Sequence, residues 1–149
     1  MVFLYTDLKS AKVTLVISYC FCALLLALMI FAKPILSWFY GTNGARAMTI
    51  IMTAFYICCP AAWVALAGII RLMKNIIKEE IFCEKNVFLL RLLSWCCAFV
   101  CVVCFGFGMQ YFPLLIFSAG AGFMMLILRV LKSVMAKATE IRKENELTI

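Results

Sequence analysis

Cysteine is the residue type with the most distinctive chemistry in this 149-residue chain, which contains nine of them. Cys97, Cys101 and Cys104 recur at the i, i+4, i+7 spacing that places side chains on one face of a helix. Thiolates bind soft metals such as Cu(I) and zinc, so these three residues are candidate metal ligands or redox sensors. The chain has no histidine to complete such a site, and a buried cysteine also serves as a small apolar packing residue. We therefore predict a packing role, with no bound metal and no cofactor.

Groups that transfer protons are missing from the apolar parts of the sequence. No Asp, Glu, Lys or Arg falls in the middle of any long apolar segment. General acid–base catalysis and nucleophilic pairs of the Ser–His or Cys–His kind need such groups. A small proton-coupled exporter would likewise need a carboxylate inside the membrane. The sequence therefore predicts that the chain is not an enzyme and has no catalytic residues.

Long apolar segments dominate the sequence, which is 67% hydrophobic. Ordinary soluble domains are about 45–50% apolar, and a helix needs about 20 apolar residues to cross a bilayer. We expect an all-α polytopic membrane protein, one domain over residues 1–149, with four transmembrane helices in an up-down bundle. Pro34 and the Gly41-Thr42-Asn43-Gly44 turn fall in the connection between the first two spans. The predicted spans are approximately residues 13–32, 47–70, 92–112 and 114–132.

Lysine and arginine are distributed unequally between the two sides of these spans. Only Lys33 and Arg46 fall on one side, and the other side has twelve. Because positive residues are retained in the cytoplasm, we predict a cell inner (cytoplasmic) membrane protein with both termini cytoplasmic. Topology and attraction to anionic lipids explain the net charge of +7, so we expect no direct nucleic-acid binding. The twelve residues are Lys9, Lys12, Arg71, Lys74, Lys78, Lys85, Arg91, Arg129, Lys132, Lys137, Arg142 and Lys143.

The second and fourth helices are predicted to extend into the cytoplasm. Apolar residues recur at helical spacing after Ile70 and again after Lys132, where Ile141 continues the stripe. The two extensions could pack as a pair, and they either complete the bundle or form a docking surface for a cytoplasmic partner. Between the second and third spans, residues 79–86 are predicted to form a polar elbow with Asn86 as the N-cap of the third helix.

Small residues mark predicted helix-packing positions in the second and fourth spans. Small side chains three or four positions apart let helices approach closely in a membrane. Internal packing is one interpretation of this pattern, and a homodimer face is the alternative. The positions are Ala61, Ala65 and Gly68 in the second span, and Ser118 and Gly122 in the fourth.

Two short motifs stand out in the sequence. They are Ile81-Phe82-Cys83-Glu84-Lys85-Asn86-Val87 with Leu90-Arg91, and Glu144-Asn145-Glu146-Leu147-Thr148-Ile149. Together with four spans in this order, they resemble the YoaS-like family of small bacterial membrane proteins, a domain-of-unknown-function family. Cys83 stands where that family often has a small polar residue. The resemblance implies no enzyme activity and no cofactor. Because such proteins are often encoded beside a Cro-type helix-turn-helix regulator, it implies a DNA-binding protein as partner.

These observations favour a regulatory or accessory membrane module that binds a cytoplasmic protein, such as a small helix-turn-helix transcription regulator. Three alternatives stay open: a transporter or pore component acting as an oligomer, a cysteine-based metal or redox sensor, and a lipid-interacting or accessory subunit with no activity of its own. The candidate partner-binding residues are Phe82, Asn86, Arg91, Glu144, Asn145, Leu147, Thr148 and Ile149.

Overall fold

A computed structural model describes residues 2–41, 44–78 and 84–148 of the chain, without the side chains of residues 2–11 and Glu146. Every regular element in these residues is an α-helix. The helices are α1 (Val2–Tyr40), α2 (Ala45–Ile77), α3 (Glu84–Gly108) and α4 (Pro113–Leu147). All four are long and apolar enough to cross a membrane. The predicted all-α class and the number of helices are therefore confirmed.

Glycine and proline residues lie at the boundaries of the helices. The α1 helix continues through Pro34 to Tyr40 and stops before Gly41, whose φ of +53° suits a residue without a Cβ atom. The α3 helix ends at Gly108, four residues before the predicted end of the third span at Phe112. The chain then turns, and the Gln110 N–H donates a hydrogen bond to the Phe107 carbonyl, with 3.0 Å between nitrogen and oxygen. Pro113 then opens α4, where its missing N–H costs nothing.

Successive helices are antiparallel, and each packs on its neighbour in the sequence. The Tyr56 hydroxyl of α2 donates to the Met29 carbonyl of α1 at 3.1 Å. The Ser118 hydroxyl of α4 donates to the Cys101 carbonyl of α3 at 2.9 Å, and α3 with α4 forms the most extensive interface. Within the described residues, the α1–α4 contacts that would close a bundle are marginal at most. The up-down order is thus as predicted, but the helices form an open row.

Most large apolar side chains point away from this row. Phe31, Val102, Ile116 and Phe117 are exposed, and the buried residues are small or lie on the first turns of α3. Lipid tails solvate such side chains as well as another helix does, so no hydrophobic force requires the row to close. The exposed apolar surface is what a membrane-crossing fold presents to lipid.

The two ends of the row of helices differ in their side chains. The α1–α2 and α3–α4 connections meet at one end, where the Tyr40 and Tyr111 hydroxyls hydrogen bond at 2.5 Å. The opposite end contains the end of α2, the start of α3 and the last turns of α4. We call it the basic end. It holds Arg71, Lys74, Lys78, Lys85, Arg91, Arg129, Lys132, Lys137, Arg142 and Lys143.

Candidate functional site

A buried amide pair joins α2 to α3 at the basic end. The Asn75 side-chain amide donates to Asn86 Oδ1 at 2.7 Å, and Asn86 is fully buried. The α3 helix begins at Glu84, so Asn86 lies inside its first turn and the N-cap prediction is wrong. Because the Asn86 side chain is internal, it is not exposed to a partner in this structure.

The first turns of α3 separate the ends of α2 and α4. Leu89, Leu90 and Leu93 of α3 are buried here. A Cβ atom added to Gly68 of α2 would lie 3.1 Å from Leu93 Cδ1, so a glycine allows this close approach. The end of α2 and the last turns of α4 each contact α3, and among the described residues α2 and α4 make marginal contact at most, so the two ends do not pack as a pair.

Two small residues of α4 pack against a cysteine of α3. Ser118 is buried and hydrogen bonds to the Cys101 carbonyl. A Cβ atom added to Gly122, one turn later, would lie 3.4 Å from Cys101 Sγ. These two predicted packing residues make internal contacts, and Ala61 and Ala65 of α2 are half-buried.

The candidate ligand cysteines face two different interfaces. Cys101 packs against α4, and Cys104 is buried beside Cys58 of α2. Cys101 and Cys104 have the CxxC spacing, but their thiols lie beside side chains of different helices, α4 and α2. Among the described residues, no three His, Cys, Asp or Glu side chains form a group able to hold a metal ion. The eight described cysteines are free thiols, and Cys83 lies outside the described residues.

An ion pair ties the last turns of α4 to the start of α3. The Lys143 ammonium hydrogen bonds to the Glu84 carboxylate, and both groups are exposed beyond the predicted apolar spans. This hydrogen bond lowers the pKa of the Glu84 carboxyl and raises the pKa of Lys143 from their ordinary values. Glu84 therefore directs its charge towards α4.

Beside this ion pair, α3 and α4 form a groove of about 440 Å³. We call it the α3–α4 groove. Phe88 and Val87 provide apolar surface on one side, Ala136 provides it on the other, and Phe88 is 61% exposed. Charges of both signs surround this surface, which suits an amphipathic segment. The charged residues are Glu84, Arg91, Glu140 and Lys143.

A second groove of about 660 Å³ lies between α2 and α3. We call it the α2–α3 groove. Its charged lining is mainly basic, and Phe88, Leu89 and Leu92 form its apolar part. The basic residues are Arg71, Lys74, Lys78 and Lys85.

The predicted partner-binding residues lie at separate places in the structure. Arg91 is exposed in the α3–α4 groove. Glu144, Asn145, Leu147 and Thr148 are exposed at the end of α4, where the Thr148 hydroxyl donates to the Glu144 carbonyl at 2.7 Å. Two more of the predicted residues lie outside the described residues: Phe82 and Ile149.

Sequence reasoning missed several residues that build the grooves. Phe88 lines both grooves, and Glu140 and Lys143 face α3 from α4. The available signal was the recurrence of charged residues at helical spacing along α4. That pattern places them on a face but does not identify the helix that the face contacts.

Four apolar helices in antiparallel order indicate a small multi-pass α-helical membrane protein. Within that class, the chain belongs to the family described as Protein of unknown function (DUF2975), whose model matches residues 3–149. This membership is consistent with the domain-of-unknown-function family expected from the sequence. No curated protein and no solved structure matches the chain.

Proposed function

We propose that the protein is a membrane-embedded regulatory or accessory module, without catalytic activity, that binds a cytoplasmic protein at its basic end. In this proposal residues 1–149 act as one domain of the inner membrane, with both termini and the extensions of α2 and α4 in the cytoplasm. The resemblance to the YoaS-like family favours a small helix-turn-helix transcription regulator as the partner. DNA contact then belongs to that partner.

An exposed apolar residue far along α4 carries this proposal. Ile141 follows Pro113 by 28 residues, which is about 42 Å along a helix. The hydrocarbon core is only about 30 Å thick. Ile141 is nevertheless 58% exposed, and Leu147 is 87% exposed. Val134, two helical turns before Ile141 on the same face, is 59% exposed, so an apolar stripe continues past the lipid, and exposed apolar patches rimmed by polar residues mark interaction sites.

The α3–α4 groove supports a specific binding mode. Its apolar surface and its mixed charges match an amphipathic helix whose apolar face enters the groove. Lys143 lines the groove, and Ile141, two positions earlier, lies on the opposite face of α4, so a partner that contacts both surfaces extends round the end of this helix. The Glu84–Lys143 ion pair fixes these two elements together.

Site-specific photocrosslinking in cells tests the proposal. A photoreactive amino acid at position 141 should give an adduct with one cytoplasmic protein, which mass spectrometry should identify as a helix-turn-helix regulator. The same amino acid at Leu126, equally exposed but within the apolar part of α4, should give no protein adduct. Protein adducts at both positions, or at neither, would contradict the proposal.

Direct binding then measures the contribution of the apolar contact. The identified regulator should bind the full chain in lipid nanodiscs. Ile141→Asp should weaken this binding about 10- to 100-fold, because burying such a side chain contributes roughly 1.5–3 kcal/mol. Removal of residues 144–149 tests the contribution of the C-terminal segment in the same assay. An unchanged Kd for Ile141→Asp would argue against the docking surface.

Fusion reporters test the proposed orientation. Fluorescent protein attached after Ile149 should fluoresce, and alkaline phosphatase at the same place should be inactive, because the basic end is retained in the cytoplasm. Phosphatase inserted between Gly41 and Gly44 should be active. The reverse pattern would place the basic end outside and exclude a cytoplasmic partner.

A further inference from the structure

We propose that the α2–α3 groove binds an anionic phospholipid, with the basic residues on its phosphate-bearing headgroup and an acyl chain along Phe88 and Leu92. This inference does not rest on the protein partner proposed above, which binds the α3–α4 groove; the two grooves share Glu84 and Phe88. It rests on the charge of the groove, on its position along the helices and on its apolar wall.

The charge of the groove comes from two helices. Arg71, Lys74 and Lys78 follow the i, i+3, i+7 spacing, and all three line the groove from α2. Lys85 faces them from α3. Glu84 also lines the groove, but its carboxylate hydrogen bonds to Lys143 of α4.

These four cations keep their charge available for a ligand. No described carboxylate forms an ion pair with any of them. Glu79 and Glu80 follow in the sequence and lie outside the described residues. Phosphate oxygens form strong charge-assisted hydrogen bonds with converging lysine and arginine side chains.

The groove lies where both helices leave their apolar segments. The apolar segment of α2 ends at Ile70, directly before Arg71, and that of α3 begins at Leu92. Arg71 and Leu92 both line the groove, so it spans the boundary between hydrocarbon and headgroups. Basic pockets between transmembrane helices at this level bind anionic headgroups.

The apolar wall distinguishes a lipid from a soluble anion. Phe88 is 61% exposed and Leu92 is half-buried in the same groove. An acyl chain continues from a phosphate headgroup into the hydrocarbon, so a phospholipid covers the cations and the apolar wall together. An acidic peptide or a free phosphate covers only the cations.

Lipid titration of the full chain tests the site. Phosphatidylglycerol and phosphatidylcholine are added separately to the protein in neutral detergent, and bound lipid is counted by native mass spectrometry. Phosphatidylglycerol should bind at least tenfold more tightly than phosphatidylcholine. Equal affinity for the two lipids would overturn the proposal.

Soluble competitors separate the lipid from other anions. Glycerol phosphate, inorganic phosphate and a polyglutamate peptide should each displace phosphatidylglycerol only at concentrations at least 100-fold higher than the lipid. Displacement by either small phosphate at concentrations equal to the lipid would mean a free-anion site. Tighter binding of polyglutamate would mean a peptide site. Either result would overturn the proposal.

Matched double variants locate the site. Lys74→Gln with Lys85→Gln should weaken phosphatidylglycerol binding about 25-fold, since each cation near an anionic headgroup contributes roughly a factor of five. Lys12→Gln with Lys137→Gln removes the same charge from exposed positions of α1 and α4, outside the groove. This control should change binding less than twofold. Equal losses in both variants would show unspecific charge attraction and would overturn the proposal.

Thermal unfolding in detergent shows that the variants are folded. Without added lipid, both double variants should unfold within about 2 °C of the wild-type midpoint, because the changed side chains are exposed. Phosphatidylglycerol should raise the midpoint of the wild type and of the control variant. An equal rise for Lys74→Gln with Lys85→Gln would contradict the assignment of the lipid to this groove.

Discussion

Asn86→Ala should destabilise the fold by about 1–3 kcal/mol, the cost of leaving a hydrogen-bonding group without its buried partner. The Asn75 amide donates to Asn86 Oδ1 at 2.7 Å, and Asn86 has no exposed surface. Alanine removes the acceptor and also leaves a cavity between α2 and α3. Reversible unfolding in mixed micelles measures the loss.

Three further variants make the result specific to the amide pair. Asn145→Ala, at an exposed position near the end of α4, should leave the free energy of unfolding unchanged. Asn75→Ala should destabilise the protein, and the double variant with Asn86→Ala should lose less than the sum of the two. If Asn86→Ala were as stable as Asn145→Ala, the amide pair would not hold α2 and α3 together.

Gly108→Ala should destabilise the protein by about 1–3 kcal/mol, because it overpacks the turn between α3 and α4. A Cβ atom there would lie 2.7 Å from the side chain of Leu115 and 3.0 Å from its backbone nitrogen. The side chain could rotate away, but the backbone can move only if the turn opens. The same unfolding experiment measures this effect.

Gly106→Ala is the matched control for this substitution. Gly106 lies two residues earlier in α3, and a Cβ atom there would meet nothing within 4 Å. Alanine should therefore be neutral, or stabilise by up to about 1 kcal/mol through its better helix propensity. Equal losses at positions 106 and 108 would contradict the close α3–α4 contact.

The number of helices could be predicted from the sequence because lipid requires long apolar segments. The residues at which the helices end could not be predicted as well. Lys33 and Pro34 mark the edge of the first apolar segment, whereas the helix continues to Tyr40 because backbone hydrogen bonding persists until Gly41 turns the chain. Hydropathy thus locates the lipid boundary, and helix ends depend on local backbone geometry.

Contacts between helices could be predicted only in part. The spacing of Ser118 and Gly122 indicated a packing face but did not identify Cys101 as the residue it encloses. In membrane helices, faces towards lipid and faces towards protein are equally apolar, so periodicity does not distinguish them. The Glu84–Lys143 pair joins positions 59 apart, and no local pattern predicts such a partner.

The open row of helices has a consequence for how the protein is made. Each helix packs on the one synthesised immediately before it, so every new segment meets its partner already in the bilayer. In a closed bundle, the contacts between α1 and α4 could form only after α4 had been synthesised. Contacts between residues so far apart in the sequence slow folding. Here the chain can complete its contacts in the order of translation, and α4 forms the most extensive interface with the helix made directly before it.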